Sequence, residues 1–108
     1  MDIKGLRSVF SREELYGMSH VMKANGVQIR ELLDDSAESR EYLLEKNRLN
    51  LGETRFLPPD FILGVDMPIY GDKVAMISPK NLMAVVIEDR AISASHKQFF
   101  EFVWKSCV

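Results

Sequence analysis

VQIRELLDDSAESREYLLEKNRLNLGETRFLPP, residues 27–59, is the stretch on which the fold turns. Val27-Gln28-Ile29-Arg30 alternates apolar and polar side chains, the period of a strand, and Leu32-Leu33 ends it before the acidic corner Asp34-Asp35. Asp35 followed by Glu38 is a helix-start signal. With Tyr42, Leu43, Leu44 and Lys46 behind it, the pattern predicts a helix over about residues 36–49, Gly52 lying just past its end. Thr54-Arg55-Phe56-Leu57 reads as a second short strand. Pro58-Pro59 must terminate it, since neither proline donates to a ladder and each restricts the residue before it. Strand, helix, strand over this length is a crossover between parallel strands, expected to be right-handed.

Upstream, Ser11-Arg12-Glu13-Glu14 is a capping box. Leu15, Met18, Val21 and Met22 recur at helical spacing behind it, and Asn25-Gly26 supplies a left-handed stop, so a helix is expected over about residues 12–25. Downstream, Phe61 to Tyr70 and Lys73 to Ser78 flank Gly71-Asp72, a pair suited to a tight hairpin turn. Pro68 marks its strand as an edge or as beginning there. Ser78-Pro79-Lys80-Asn81 is a second turn. Met83-Ala84-Val85-Val86-Ile87 is nearly all apolar, which predicts a strand covered on both faces. Glu88-Asp89 then caps a last helix, with Ile92, Phe99, Phe102 and Val103 on one face, Phe100 and Trp104 widening it, and Lys105 at the negative end of its dipole. The aromatic stripe is expected in the core. The order gives an α/β fold: a mixed parallel/antiparallel sheet with packed helices.

The 108 residues include 14 basic and 16 acidic ones and are 46% hydrophobic, which suits one domain, 1–108, without metal or disulfide staples. A pI of about 5.7 and the lack of a basic cluster argue against direct nucleic-acid binding. The single cysteine, Cys107, fits a reducing compartment. The start carries no signal-peptide run, and the longest apolar stretch, Leu82 to Ile87, is too short to span a bilayer. A cytoplasmic protein without membrane contact is expected.

Chemistry-bearing patterns are sparse. His20, His96 and Cys107 lie far apart with no paired ligand motif, so no metal is expected. Ser95-His96 are neighbours that point about 100° apart on a helix and make no nucleophile–base contact. The glycines never fall into a phosphate-cradling spacing, so no nucleotide cofactor is expected. The acidic pairs Glu13-Glu14, Asp34-Asp35 and Glu88-Asp89 all sit at expected helix starts, where carboxylates complement the dipole. Arg30 and Arg55, on neighbouring parallel strands, either converge on an anion or pair with Glu31 and Glu53. Asp66, Tyr70, Asp72 and Lys73 gather around the hairpin as candidates to line a pocket for a hydroxylated or anionic ligand, with turn chemistry and surface charge as the alternative.

The segment Pro68 to Trp104, with its Tyr70-Gly71-Asp72-Lys73 hairpin, the strand Met83 to Ile87 and a helix closing in Phe-Phe-Glu-Phe-Val-Trp, resembles the C-terminal regulatory domain of TrmB-type transcriptional regulators. Lys23 to Leu33 and Thr54 to Pro58 extend the likeness upstream. The resemblance implies a phospholipase-D-like sensor domain, a small effector such as a sugar, and a homodimer. Two departures qualify it. Gly64 to Lys73 has no histidine where catalytic members of the phospholipase D superfamily carry HxKxxxxD, so no catalysis is expected. The winged helix that reads DNA in such regulators is missing, because nothing before Ser11 is long enough to hold one. The competing readings are a divergent phosphodiesterase or nuclease, and a protein-interaction module using Phe99, Phe100, Phe102 and Trp104.

Overall fold

The computed structural model describes residues 3–8 and 11–107, with the side chains of several α2 residues outside the description. In chain order it holds α1 (Ile3–Arg7), α2 (Arg12–Ala24), β1 (Arg30–Leu33), α3 (Ala37–Leu49), β2 (Glu53–Phe56), β3 (Ile69–Tyr70), β4 (Lys73–Ser78), β5 (Met83–Glu88) and α4 (Arg90–Ser106).

β1 and β2 pair in parallel, from Arg30 beside Glu53 to Leu33 beside Phe56. The strand expected at Val27–Arg30 therefore lies later, at Arg30–Leu33. Val27 is exposed, and the approach of Gly52 to Ile29 sets where pairing begins. Gly52 has φ +102°, and a Cβ there would stand 2.6 Å from the Ile29 carbonyl oxygen. Glu53 N–H donates to that oxygen at 2.9 Å, and the ladder starts one residue on.

α3 is capped by Ser36 rather than Asp35: Ser36 Oγ accepts from Ser39 N–H at 3.1 Å. Asp35 instead accepts from Nε and Nη2 of the Arg40 guanidinium, one bond to each carboxylate oxygen. The helix stops at Asn50, in the left-handed region at φ 54°. Gly26, at φ +74°, ends α2 where Asn25-Gly26 was expected to. Arg12 opens α2 directly after Ser11, while the reach-back of Glu14 and the apolar positions Leu15 and Met18 fall on side chains outside the described residues.

One face of the β1–β2 pair carries Leu33, which joins Ile3, Tyr42 and Leu51 in the core with Phe56 and Leu49 packed against them. Ile3 and Leu6 come from α1, a helix too short for periodicity to reveal, and α1 lies against α3. The other face carries Arg30 and Arg55, and the C-terminal half of α4 covers it.

The chain then forms a separate antiparallel sheet, β3-β4-β5, instead of extending the first into one mixed sheet. Pro58-Pro59 and the irregular segment up to Pro68 divide the two. Of the strand expected over Phe61–Tyr70, only Ile69–Tyr70 forms, preceded by a bridge from Asp66 to Ile77. Gly71, at φ +57°, takes the first central position of the two-residue hairpin turn, where Gly has no steric cost.

Two burial expectations are overturned. β5 is an edge strand exposed on both faces, with Met83, Val85 and Val86 at 63%, 47% and 57% exposure, because no described element lies beyond it. α4 docks through Ser93, Phe100 and Trp104, leaving Phe99 and Phe102 at 71% and 74% exposure. The rotation has an identifiable cause in the arginines below the helix. Phe100 and Trp104 stack on each other at 5.6 Å, Arg30 lies over both rings, and Arg55 lies over Trp104 at 4.6 Å. Ser93 is small enough to let the helix come close, and its hydroxyl donates to Arg90 O at 3.1 Å. Asp89 caps α4 as the sequence predicts, accepting from Ile92 N–H at 2.9 Å.

Candidate functional site

The hairpin brings three of the four candidate residues together. Tyr70 and Lys73 face one another across the turn, with Lys73 Nζ 5.9 Å from the Tyr70 ring centre. Asp72 stands 3.9 Å from Arg90, and its carbonyl accepts from Asp89 N–H at 3.0 Å. Lys97, which sequence reasoning did not single out, reaches from α4 and donates to Gly71 O at 2.6 Å. The result is an exposed polar knuckle tied to the first turns of α4, with Tyr70 half exposed.

Asp66 lies elsewhere. Its backbone exchanges two 2.8 Å hydrogen bonds with Ile77, four residues along β4 from Lys73 and so about 13 Å away. Burial pushes its carboxyl group above the usual carboxylate range, and the charge of Glu31 adds to the effect. Asp66 is thus set apart from the hairpin, within electrostatic reach of Glu31 in the β1–α3 layer.

That layer holds a buried polar cluster. Lys46 is 1% exposed, and its Nζ donates to Glu31 Oε1 at 2.6 Å, while Tyr42 OH donates to the same carboxylate at 3.0 Å. The amphipathic spacing that places Tyr42 and Lys46 on one face of α3 also points them at Glu31 of β1. Thr54, beside Glu31 in the register, has a buried hydroxyl with no hydrogen-bond partner among the described residues. The cluster clamps helix to strand.

Arg30 and Arg55 follow neither expectation. Arg30 pairs with Glu101 of α4, which holds that carboxylate below its ordinary range through the hydrogen bond. Arg55 donates to Trp104 O at 2.6 Å and to Cys107 O at 3.4 Å, satisfying carbonyls at the negative end of α4. The guanidinium at the carboxyl ends of the parallel strands is that of Arg40, 4.0 Å above the Phe56 ring and paired with Asp35. It lines an open recess of about 370 Å³ with Asp35, Phe56, Pro58 and Cys107.

His20 is exposed, and His96 Nδ1 donates to Ile92 O at 3.0 Å within its own helix. Among the described residues no group of three His, Cys, Asp or Glu side chains comes together to hold a metal, and no helix is long and apolar enough to cross a membrane.

Exposed apolar side chains recur on β5 and α4. Leu82, Met83, Val85 and Val86 on and before β5, and Ile92, Phe99 and Phe102 along α4, all present their side chains to solvent. Comparison with protein-family models, with curated proteins and with solved structures returns no match for this chain.

Proposed function

We propose that this chain is a non-catalytic association domain that pairs with a second copy of itself, the role its resemblance to TrmB-type regulatory domains implies. The phospholipase-D-like arrangement and the setting in transcription regulation belong to the same proposal. The observation that carries it is the run of exposed apolar side chains on β5, where a covered strand was expected from composition. Apolar side chains about half exposed along a whole strand are only partly used by the isolated monomer, and an interface gives their open surface a role. Sedimentation equilibrium of the purified chain across a hundredfold concentration range tests the reading. A species of twice the chain mass that dissociates on dilution supports it. A monomer throughout overturns it.

Effector binding is a second reading, favoured by the exposed knuckle of Tyr70, Asp72 and Lys73 with Lys97 against Gly71 O. Hydroxyl-rich or anionic small molecules suit such groups. A sugar or anion present at a hundred times its dissociation constant adds about 2.7 kcal/mol to folding. Thermal unfolding against a panel of sugars, sugar phosphates and plain anions reads this out, and a panel with no shift removes the reading.

A further inference from the structure

The direction of the backbone groups on β5 follows from the bonds around it. Ala75 N–H donates to Pro68 O at 3.0 Å, and Ile77 exchanges bonds with Asp66, so the odd-numbered residues of β4 address the β3 side. Val74, Met76 and Ser78 therefore address β5, and their register partners Ile87, Val85 and Met83 bond inward. Ala84, Val86 and Glu88 are left with N–H and C=O groups directed away from the sheet.

The two edges of this sheet are treated differently. β3 stops after two residues and is preceded by Pro68, both of which blunt an edge. β5 runs for six residues, and from Met83 to Ile87 it has no proline, lysine or inward charge. An edge of that kind is a template for another strand.

We propose that the β5 edges of two copies of this chain pair antiparallel about a two-fold axis at Val86, joining both sheets into one in the order β3-β4-β5-β5-β4-β3. The proposal rests on the association reading and names its interface. In this register Val86 meets Val86 of the second copy, and Ala84 meets its Glu88, each pair exchanging both backbone bonds. All the outward groups on both strands are then used. Val85 comes beside Ile87 of the second copy, a pairing of β-branched side chains. Charge also selects the antiparallel sense. The turn before β5 carries Lys80, and the strand ends in Glu88-Asp89. An antiparallel two-fold brings each basic turn to the acidic end of the other strand, whereas parallel addition sets Lys80 beside Lys80 and Glu88 beside Glu88. The isologous contact closes on itself and leaves no free β5 edge.

Val86→Pro is the test, because the N–H it deletes makes no bond to β4, and edge strands accept proline at such a position. The expected result is a folded chain by circular dichroism whose dimer dissociation constant rises at least tenfold. Val85→Pro, which deletes an inward N–H, unfolds the sheet and serves as the contrast. A second measurement does not depend on tolerance of proline. In a Cys107→Ser background, Val86→Cys is oxidised. Hydrogen-bonded antiparallel partners stand about 5.5 Å apart at Cα, inside the disulfide window. A covalent dimer is expected with Val86→Cys and none with Ala84→Cys, whose counterpart in the second copy lies about 13 Å away in this register. A wild-type dimer that survives Val86→Pro and gives no Val86→Cys cross-link overturns the β5 interface while leaving association standing. A wild-type chain that stays monomeric overturns both.

Discussion

The parallel pair β1–β2 and the antiparallel meander β3–β5 are both built from short strands, yet one is covered on both faces and the other ends in an open, greasy edge. The difference comes from the connections. A parallel pair needs a crossover, and the helix that makes the crossover, α3, lies on the sheet and brings Tyr42 and Lys46 to it. Hairpins join β3, β4 and β5 without supplying any cover. α4 serves both sheets, with its N-terminal half touching the meander and Trp104 resting on Arg30 and Arg55. The covered half can therefore enclose a charged pair, while the meander leaves Val85 and Val86 at the surface.

Breaking the buried pair is expected to give the largest effect. Lys46→Met leaves the largely buried Glu31 with the Tyr42 hydroxyl as its remaining hydrogen-bond donor among the described residues, and urea denaturation should show a loss of about 3–5 kcal/mol. Adding Glu31→Gln removes the stranded charge while keeping an acceptor for Tyr42, so the double variant should recover most of that loss. A double variant as unstable as Lys46→Met alone would show that the pair itself, and not the orphaned charge, carries the stability of the covered half.

The two faces of α4 sharpen the comparison next. Trp104 is 6% exposed beneath two guanidiniums, and Trp104→Ala should cost about 3 kcal/mol or more. Phe102, at 74% exposure, should change the stability of the monomeric chain by less than about 0.5 kcal/mol on Phe102→Ala. Equal losses at the two positions, measured by urea denaturation at a concentration where the chain is monomeric, would contradict the docking face.

What was legible in the residues follows the same division. Local signals transferred well: the left-handed stop at Gly26, the Gly71-Asp72 turn, the Asp89 cap and the parallel pairing behind Pro58-Pro59 depend on neighbours in the chain. Which face of α4 is buried was not legible from its own apolar spacing, because Arg30 and Arg55, far away in sequence, choose Phe100 and Trp104. The apolar run of β5 read as a covered strand, since hydrophobicity reports what a strand can bury and not whether anything lies over it. Among the site candidates, Tyr70, Asp72 and Lys73 share a hairpin and stayed together. Asp66 is close to them in sequence but joins the opposite end of β4, an outcome set by the Ile77 bridge.

Asp66 carries the smallest expected effect and the one that links the two halves, since it sits on the meander and feels Glu31 of the covered pair. Its carboxyl group is raised in the folded chain, above its ordinary value of 3.8, mainly by burial. Stability changes with pH in proportion to the protons bound by the unfolded chain minus those bound by the folded one. From pH 3.8 up to the raised value the folded chain holds this proton longer, so the difference is negative and stability falls as pH rises. Asp35 and Glu101, lowered by Arg40 and Arg30, work the other way: their contribution is present above the ordinary carboxylate range and is lost on acidification. The total curve therefore mixes both signs, and only a difference curve isolates Asp66. Asp66→Asn should match the wild type below pH 3.8 and grow more stable than it as pH rises, levelling off once Asp66 is ionised in both states. Urea titrations at a series of pH values measure this directly. A difference that runs in the opposite direction would mean that the Asp66 carboxylate is held by partners in the folded chain, and that the meander and the covered half are joined there by attraction rather than by burial.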